Sequence, residues 1–225
     1  MKPRIKLDEA GTPDGGTLAL FEHDGSFVIS LAGKELMHSK ASASEEILGR
    51  VGVAGLKPDQ SANVLIGGLG LGFTLRAALN SAGPKTAIGV IELLPAVIEW
   101  NRTHLAGLNG SCLEDARVRV ISEDVARYLR AVPARSYDAI LLDVDNGPIA
   151  MVDSNNSSLY SQNGIKNLCR LLRPEGRLAI WSAGRDTPFE GRLQKARIPF
   201  EIVPAKVHQG AKRDAIAIYV IQPSK

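Results

Sequence analysis

Two aspartates, Asp143 and Asp145, stand two residues apart where the apolar run Ala139–Leu142 gives way to Asn146-Gly147-Pro148. Carboxylates beside a buried strand end cost solvation energy unless they meet a cation or handle a proton. Both are therefore candidate catalytic groups, able to orient a nucleophile and take its proton. Upstream lies Gly67-Gly68-Leu69-Gly70-Leu71-Gly72. Glycine lets a backbone turn sharply and approach a ligand, so Gly68, Gly70 and Gly72 are candidate cofactor-binding positions. A dinucleotide fingerprint would need its third glycine where Phe73 stands. The G-x-G-x-G spacing suits an adenosyl ligand without a pyrophosphate. Glu92 follows Gly72 by 20 residues. A carboxylate there, with Leu93 beside it, can accept hydrogen bonds from both hydroxyls of a ribose. Asp124 can accept from an adenine amino group while the Val125 backbone reads the ring edge. Asp124 also suits a helix N-cap, and the two roles are compatible.

These residues need a scaffold that brings strand ends together. Short apolar runs at 63–67, 86–91, 117–121, 137–142 and 176–182 alternate with amphipathic stretches near 72–82, 95–105, 124–131 and 158–172. Such alternation predicts parallel strands with helical crossovers. Two last strands, 200–203 and 215–221, have only a polar loop between them and should pair antiparallel at one edge. Ligands in such sheets bind at the carboxyl ends of the strands. Five parallel strands plus a terminal antiparallel pair is the layout of S-adenosylmethionine-dependent transferases. The expected fold is α/β: a doubly wound, mostly parallel seven-stranded sheet of the Rossmann-like methyltransferase type. Ahead of it, 16–31 reads as a β-hairpin turning at Asp24-Gly25. Ser42 and Glu45 have capping-box spacing before a helix. The predicted division is 1–60, hairpin and helix, and 61–225, the adenosyl-binding transferase domain.

With 44% apolar and 23% charged residues, the chain reads as an ordinary globular protein, which excludes a disordered tail or a membrane bundle. Cys112 and Cys169 are too few for a disulfide scaffold or a four-thiolate zinc site. His23, His38, His104 and His208 lack metal-ligand spacing, so no metal is expected. The opening MKPRIKLDEAG has no apolar core, and no apolar run is long enough for a membrane span. A cytoplasmic location is the expectation. The basic excess gathers in 184–225, with 8 basic against 4 acidic groups. It is scattered and not interleaved with aromatics, so a solvated face is expected there and nucleic acid is not.

Several of these stretches together resemble the spermidine synthases and their smaller bacterial relatives. They are Gly67–Gly72, Glu92, Ser122–Asp124, Tyr137–Asp143, Leu159-Tyr160-Ser161 and Leu172–Gly176, with Glu35–Ser39 and Ser44-Glu45-Glu46 before them. The resemblance implies that Gly68, Gly70 and Gly72 line a sulfonium cofactor, S-adenosylmethionine or its decarboxylated form. It implies that Glu92 holds the ribose, Asp124 the adenine, and Asp143 the attacking amine of a small-molecule acceptor. It also makes the N-terminal hairpin a possible homodimer contact. Two departures stand out. Aminopropyltransferases usually read Gly-Gly-Asp-Gly in the first loop, where this chain has Leu69 and Leu71 around Gly70. Their usual Asp-Ser-Ser-Asp-Pro run is here Asp143-Val144-Asp145-Asn146-Gly147-Pro148. Without the loop acid, the reading tilts toward S-adenosylmethionine and methyl transfer. The alternative is polyamine aminopropyl transfer from decarboxylated S-adenosylmethionine, and the third reading is a non-catalytic adenosyl-binding module.

Overall fold

Alternating apolar residues set two faces on each central strand. The computed structural model describes residues 3–13, 15–144 and 154–223. Four antiparallel strands come first: β1 (Ile5–Gly11), β2 (Thr17–His23), β3 (Ser26–Leu31) and β4 (Lys34–His38), paired in chain order. Helix α1 (Ala43–Val53) leads into the alternating part. There follow β5 (Asn63–Gly67), α2 (Phe73–Ser81), β6 (Ala87–Glu92), α3 (Pro95–Arg102), α4 (Ala106–Asn109), β7 (Val118–Ser122) and α5 (Val125–Ala131). The chain continues through β8 (Tyr137–Leu142), α6 (Gln162–Leu171), β9 (Leu172–Ser182), α7 (Thr187–Lys195), β10 (Phe200–Ala205) and β11 (Ile216–Ile221).

The large sheet has the order β10-β11-β9-β8-β5-β6-β7. Strands β5 to β9 run parallel, and β11 lies antiparallel between β9 and β10. This is the expected seven-stranded fold. In β5, Val64 and Ile66 face one core and Leu65 the other. In β8, Ala139 and Leu141 join the first core, and Ile140 and Leu142 the second. The chain direction of the crossovers reverses at the central pair β5 and β8. Their carboxyl ends carry Gly67–Gly72 and Asp143, so the crevice opens there.

Helix α1 seats closely because it carries glycine on its inner face. A Cβ on Gly49 would come within 2.6 Å of the Ala77 methyl on α2. A Cβ on Gly52 would meet the Leu141 side chain on β8. Two absent side chains thus bring the start of α1 toward the strand ends.

The amino-terminal part differs from the expected hairpin and single helix. Residues 5–11 form a strand although three of the seven are charged, and the run Lys34–His38 forms another. Only Leu7 and Ala10 of β1 pack on the core, too few for a period-two signal. The Trp100 indole N–H donates to Asp8 at 2.7 Å, which ties β1 to α3. Helix α7 was also outside the sequence reading, since only Phe189 and Leu193 form its apolar stripe. It starts where Asp186 accepts from the Phe189 N–H at 2.8 Å. The helix expected near 158–172 begins later, at Gln162, after a 3-10 segment. The stretch expected as one helix over 95–105 is divided into α3 and α4. Among the described residues, no helix is long and apolar enough to cross a membrane.

Candidate active site

The glycine loop after β5 turns through Gly68, Gly70 and Gly72, with φ of 89°, 52° and 86°. Side chains resist that left-handed region. At Gly68 a Cβ would also collide with the Asp143 carbonyl oxygen. From below, the Asn101 amide donates to the Gly70 carbonyl at 2.8 Å, and the Asn109 amide donates to Asn101 Oδ1 at 2.7 Å. Both asparagines are buried. Asn101→Leu would free the Gly70 carbonyl and leave the Asn109 amide short of an acceptor. Each such loss costs about 1–3 kcal/mol. Thermal denaturation is expected to show a midpoint several degrees lower; an unchanged midpoint would show that the loop holds itself.

Glu92 ends β6 and reaches back under this loop. Its Oε2 accepts from the Leu69 N–H and its Oε1 from the Leu94 N–H, both at 2.9 Å. The carboxylate is thereby fixed in orientation beside the cavity. Leu93 is 46% exposed and lines the cavity beside Glu92. Asp124 caps α5 through the Arg127 N–H at 2.6 Å and lines the same cavity with Val125. The expected capping role is present, and the carboxylate still borders the cavity. This first chamber, about 120 Å³, brings together Gly68, Gly70, Glu92, Leu93, Asp124, Val125 and Asp143. Gly72 is not among its lining residues; it is the N-cap of α2, behind the loop. Asp145 lies outside the described residues.

A second chamber, about 270 Å³, adjoins the first and shares Leu36, Met37, Gly70 and Asp143 with it. Its other walls include Glu35, Glu45, Phe73 and Trp181. Asp143 thus borders both. The Thr74 hydroxyl donates to Asp143 Oδ2 at 2.7 Å. Thr74 is the second residue of α2, so Asp143 lies beside the first turn of that helix. Burial pushes the Asp143 carboxyl above the ordinary carboxylate range, against the lowering effect of the Thr74 bond. Glu45 is pushed up as well, by burial and then by the Asp143 charge, while the Ser44 hydroxyl bond at 2.6 Å pulls it down.

Glu45 was read from the sequence as a capping-box acid. The structure corrects this. The Ser42 side chain makes no cap bond and donates instead to Glu46 at 3.3 Å. Glu46 pairs with Arg76 at 2.9 Å, and Glu45 borders the second chamber. A signal was available: Glu45 lies on the same helical face as Leu48, Gly49 and Gly52, all buried. An acid on a buried stripe is itself a functional flag.

Both raised carboxyls hold their protons more tightly in the folded chain than in the unfolded one. The stability they contribute is present below the ordinary carboxylate range and is lost as pH rises through their folded values. Glu45→Gln removes one such group and relieves the other. Its melting midpoint relative to the unaltered protein is expected to climb by about 2–4 °C between about pH 5 and about pH 8. A difference that stays flat with pH would contradict the raised titration.

A family model described as the spermine/spermidine synthase domain matches residues 42–185. The chain belongs to that family. Among curated relatives of this family member, polyamine aminopropyltransferase 2 of Pseudomonas aeruginosa is 33% identical over 156 residues, 66% of this chain and 42% of that protein. Polyamine aminopropyltransferase 2 of Streptomyces coelicolor is 36% identical over 121 residues, 53% of this chain and 21% of that protein. The chain therefore spans less than half the length of either relative. Solved spermidine synthases share its fold. The one from Thermotoga maritima has a TM-score of 0.73 at 18% identity, covering 98% of this chain and 73% of its own. A spermidine synthase in complex with the transition state analogue AdoDATO has a TM-score of 0.75 at 19% identity, covering 98% of this chain and 74% of its own.

Proposed function

We propose that this family member is an aminopropyltransferase: it moves the aminopropyl group of decarboxylated S-adenosylmethionine onto a primary amine. The observation that carries this reading is the lining of the two joined chambers. They hold Glu35, Glu45, Glu92, Glu123, Asp124 and Asp143, and among the described residues no Lys or Arg. Such a site favours a cationic cofactor tail and a cationic acceptor. It disfavours the carboxylate of S-adenosylmethionine, which would face six acids and, of groups able to become cationic, only His38 among the described lining residues.

The tilt toward methyl transfer rests on the loop's lack of an acid at Leu69 and Leu71. Leu69 and Leu71 are largely buried in the core and also border the second chamber, whose acids come from other elements. Asp143 lies beside the helix start, bonded by the Thr74 hydroxyl, and would oppose a ligand carboxylate there. The acid missing from the loop has a counterpart in Glu45, which comes from α1. The relatives' names point the same way, to polyamine aminopropyl transfer.

In this reading Gly68 and Gly70 let the backbone approach the nucleoside, Gly72 starts the helix behind them, and Glu92 takes the ribose hydroxyls. Asp124 and Val125 meet the adenine edge, and Leu93 covers the sugar. Asp143, where the chambers join, accepts a proton from the acceptor's ammonium. The freed nitrogen lone pair attacks the aminopropyl carbon bonded to sulfur. The carbon–sulfur pair returns to sulfur, leaving neutral methylthioadenosine, and the positive charge passes to the new secondary amine. Holding the two partners in line accounts for much of the acceleration.

A thermal-shift panel tests this. Decarboxylated S-adenosylmethionine and methylthioadenosine are expected to raise the melting midpoint more than S-adenosylmethionine and S-adenosylhomocysteine do. The reverse order would return the methyl reading.

A further inference from the structure

Thr74 belongs to α2, but its hydroxyl reaches two other elements. The residue is 2% exposed. Its Oγ1 lies 2.7 Å from Asp143 Oδ2 at the end of β8 and 3.4 Å from the Glu45 carbonyl oxygen on α1. The three elements fit closely here: a Cβ on Gly49 of α1 would come within 2.6 Å of the Thr74 carbonyl oxygen. A hydroxyl has one proton to give. The shorter contact, to a carboxylate, is the stronger, so that proton goes to Asp143.

We propose that Thr74 is a positioning residue for Asp143: its hydroxyl pins Oδ2 and holds the carboxylate so that Oδ1 takes the proton of the incoming ammonium. The inference rests on the reading of Asp143 as the proton acceptor and deepens it. A carboxylate without such a bond turns about its Cβ–Cγ axis, and its two oxygens exchange places. The bond is in place before any substrate arrives, so nothing has to reorganise as the proton moves. It also favours the charged form of Asp143, whereas burial favours the neutral one. Thr74 thus sets both where the basic oxygen stands and how readily it ionises. The other titratable groups bordering the chambers that Asp143 lines are Glu45 on α1, Glu35 and His38 on β4, and Glu92, Glu123 and Asp124 at the ends of β6 and β7. On α2 itself, Arg76 is held by Glu46. A change at Thr74 leaves all of these in place.

The test compares Thr74→Val, which keeps the shape and loses the hydroxyl, with Thr74→Ser, which keeps the hydroxyl. Asp143 is titrated in the ligand-free protein by carboxyl carbon NMR, with its signal assigned through Asp143→Asn. Loss of a bond to the charged form raises a carboxyl's titration. Thr74→Val is therefore expected to move Asp143 upward by about one pH unit. The acidic limb of the turnover profile with 1,4-diaminobutane should move upward with it. Above that limb kcat should stay about tenfold lower, with KM little changed. Thr74→Ser should return the titration and kcat most of the way. Thr74→Ala serves where Thr74→Val does not fold, with the same expected rise; if both unfold, Thr74 belongs to the packing and the inference is overturned. An unmoved Asp143 titration beside an inactive Asp143→Asn would strike the inference alone. Full turnover in Asp143→Asn would strike the reading of Asp143 as the base, and the inference with it.

Discussion

Asp143→Asn is expected to lower turnover by about 10²–10⁴-fold, the usual range for losing a positioned general base. The substitution keeps the side chain's shape and leaves an oxygen for the Thr74 hydroxyl to donate to. It removes the charge and the basic site together. Asp143 borders the nucleoside chamber only at its junction with the second, so methylthioadenosine affinity should move by less than about threefold. The fold should not suffer, because burial disfavours the charged form that the variant abolishes. Single-turnover kinetics and calorimetry on one preparation separate these effects. A variant that unfolds would assign Asp143 to the strand-end turn, and one with full activity would leave the proton to another group.

Glu92→Ala has the second largest expected effect, and it acts on binding. The carboxylate fixes the loop through the Leu69 N–H and orders the next turn through the Leu94 N–H. It also borders the first chamber, where the ribose hydroxyls would meet it. Each charge-assisted hydrogen bond contributes about 1.5–3 kcal/mol. Removal should weaken adenosyl binding by at least about tenfold and lower the melting midpoint, since two backbone N–H groups lose their partner. Glu92→Gln retains one acceptor oxygen and should fall between. Calorimetry with methylthioadenosine decides it, and unchanged affinity in Glu92→Ala would remove Glu92 from the site.

The central sheet was legible because its strands carry strong, local signals. Val64, Leu65 and Ile66 end in a glycine run, and Ala139 to Leu142 end in Asp143. Ligand sites at the carboxyl ends of such strands then bring Gly68, Glu92, Asp124 and Asp143 to one edge. What escaped depends on tertiary placement. β1 is held by pairing with β2 and by the Trp100 bond to Asp8, neither visible in the heptapeptide itself. Glu45 was hidden by a plausible local role, because Ser42 and Glu45 have capping spacing whether or not the cap forms. Trp181 alternates inward along β9 like its neighbours, and only the packing of β4 and α1 shows that it borders a cavity. Leu69 and Leu71 tilt the reading toward methyl transfer because a loop without an acid offers less to a cationic cofactor tail, while nothing in that loop shows that α1 brings an acid, Glu45, to the same cavity.

The most direct test is a product analysis. The purified protein is incubated with 1,4-diaminobutane and either decarboxylated S-adenosylmethionine or S-adenosylmethionine, and the products are resolved by mass spectrometry. The account predicts methylthioadenosine and an aminopropylated amine in equal amounts from the decarboxylated cofactor, with neither formed by Asp143→Asn above background. S-adenosylhomocysteine and a methylated amine from S-adenosylmethionine, with the decarboxylated cofactor left unconsumed, would contradict it.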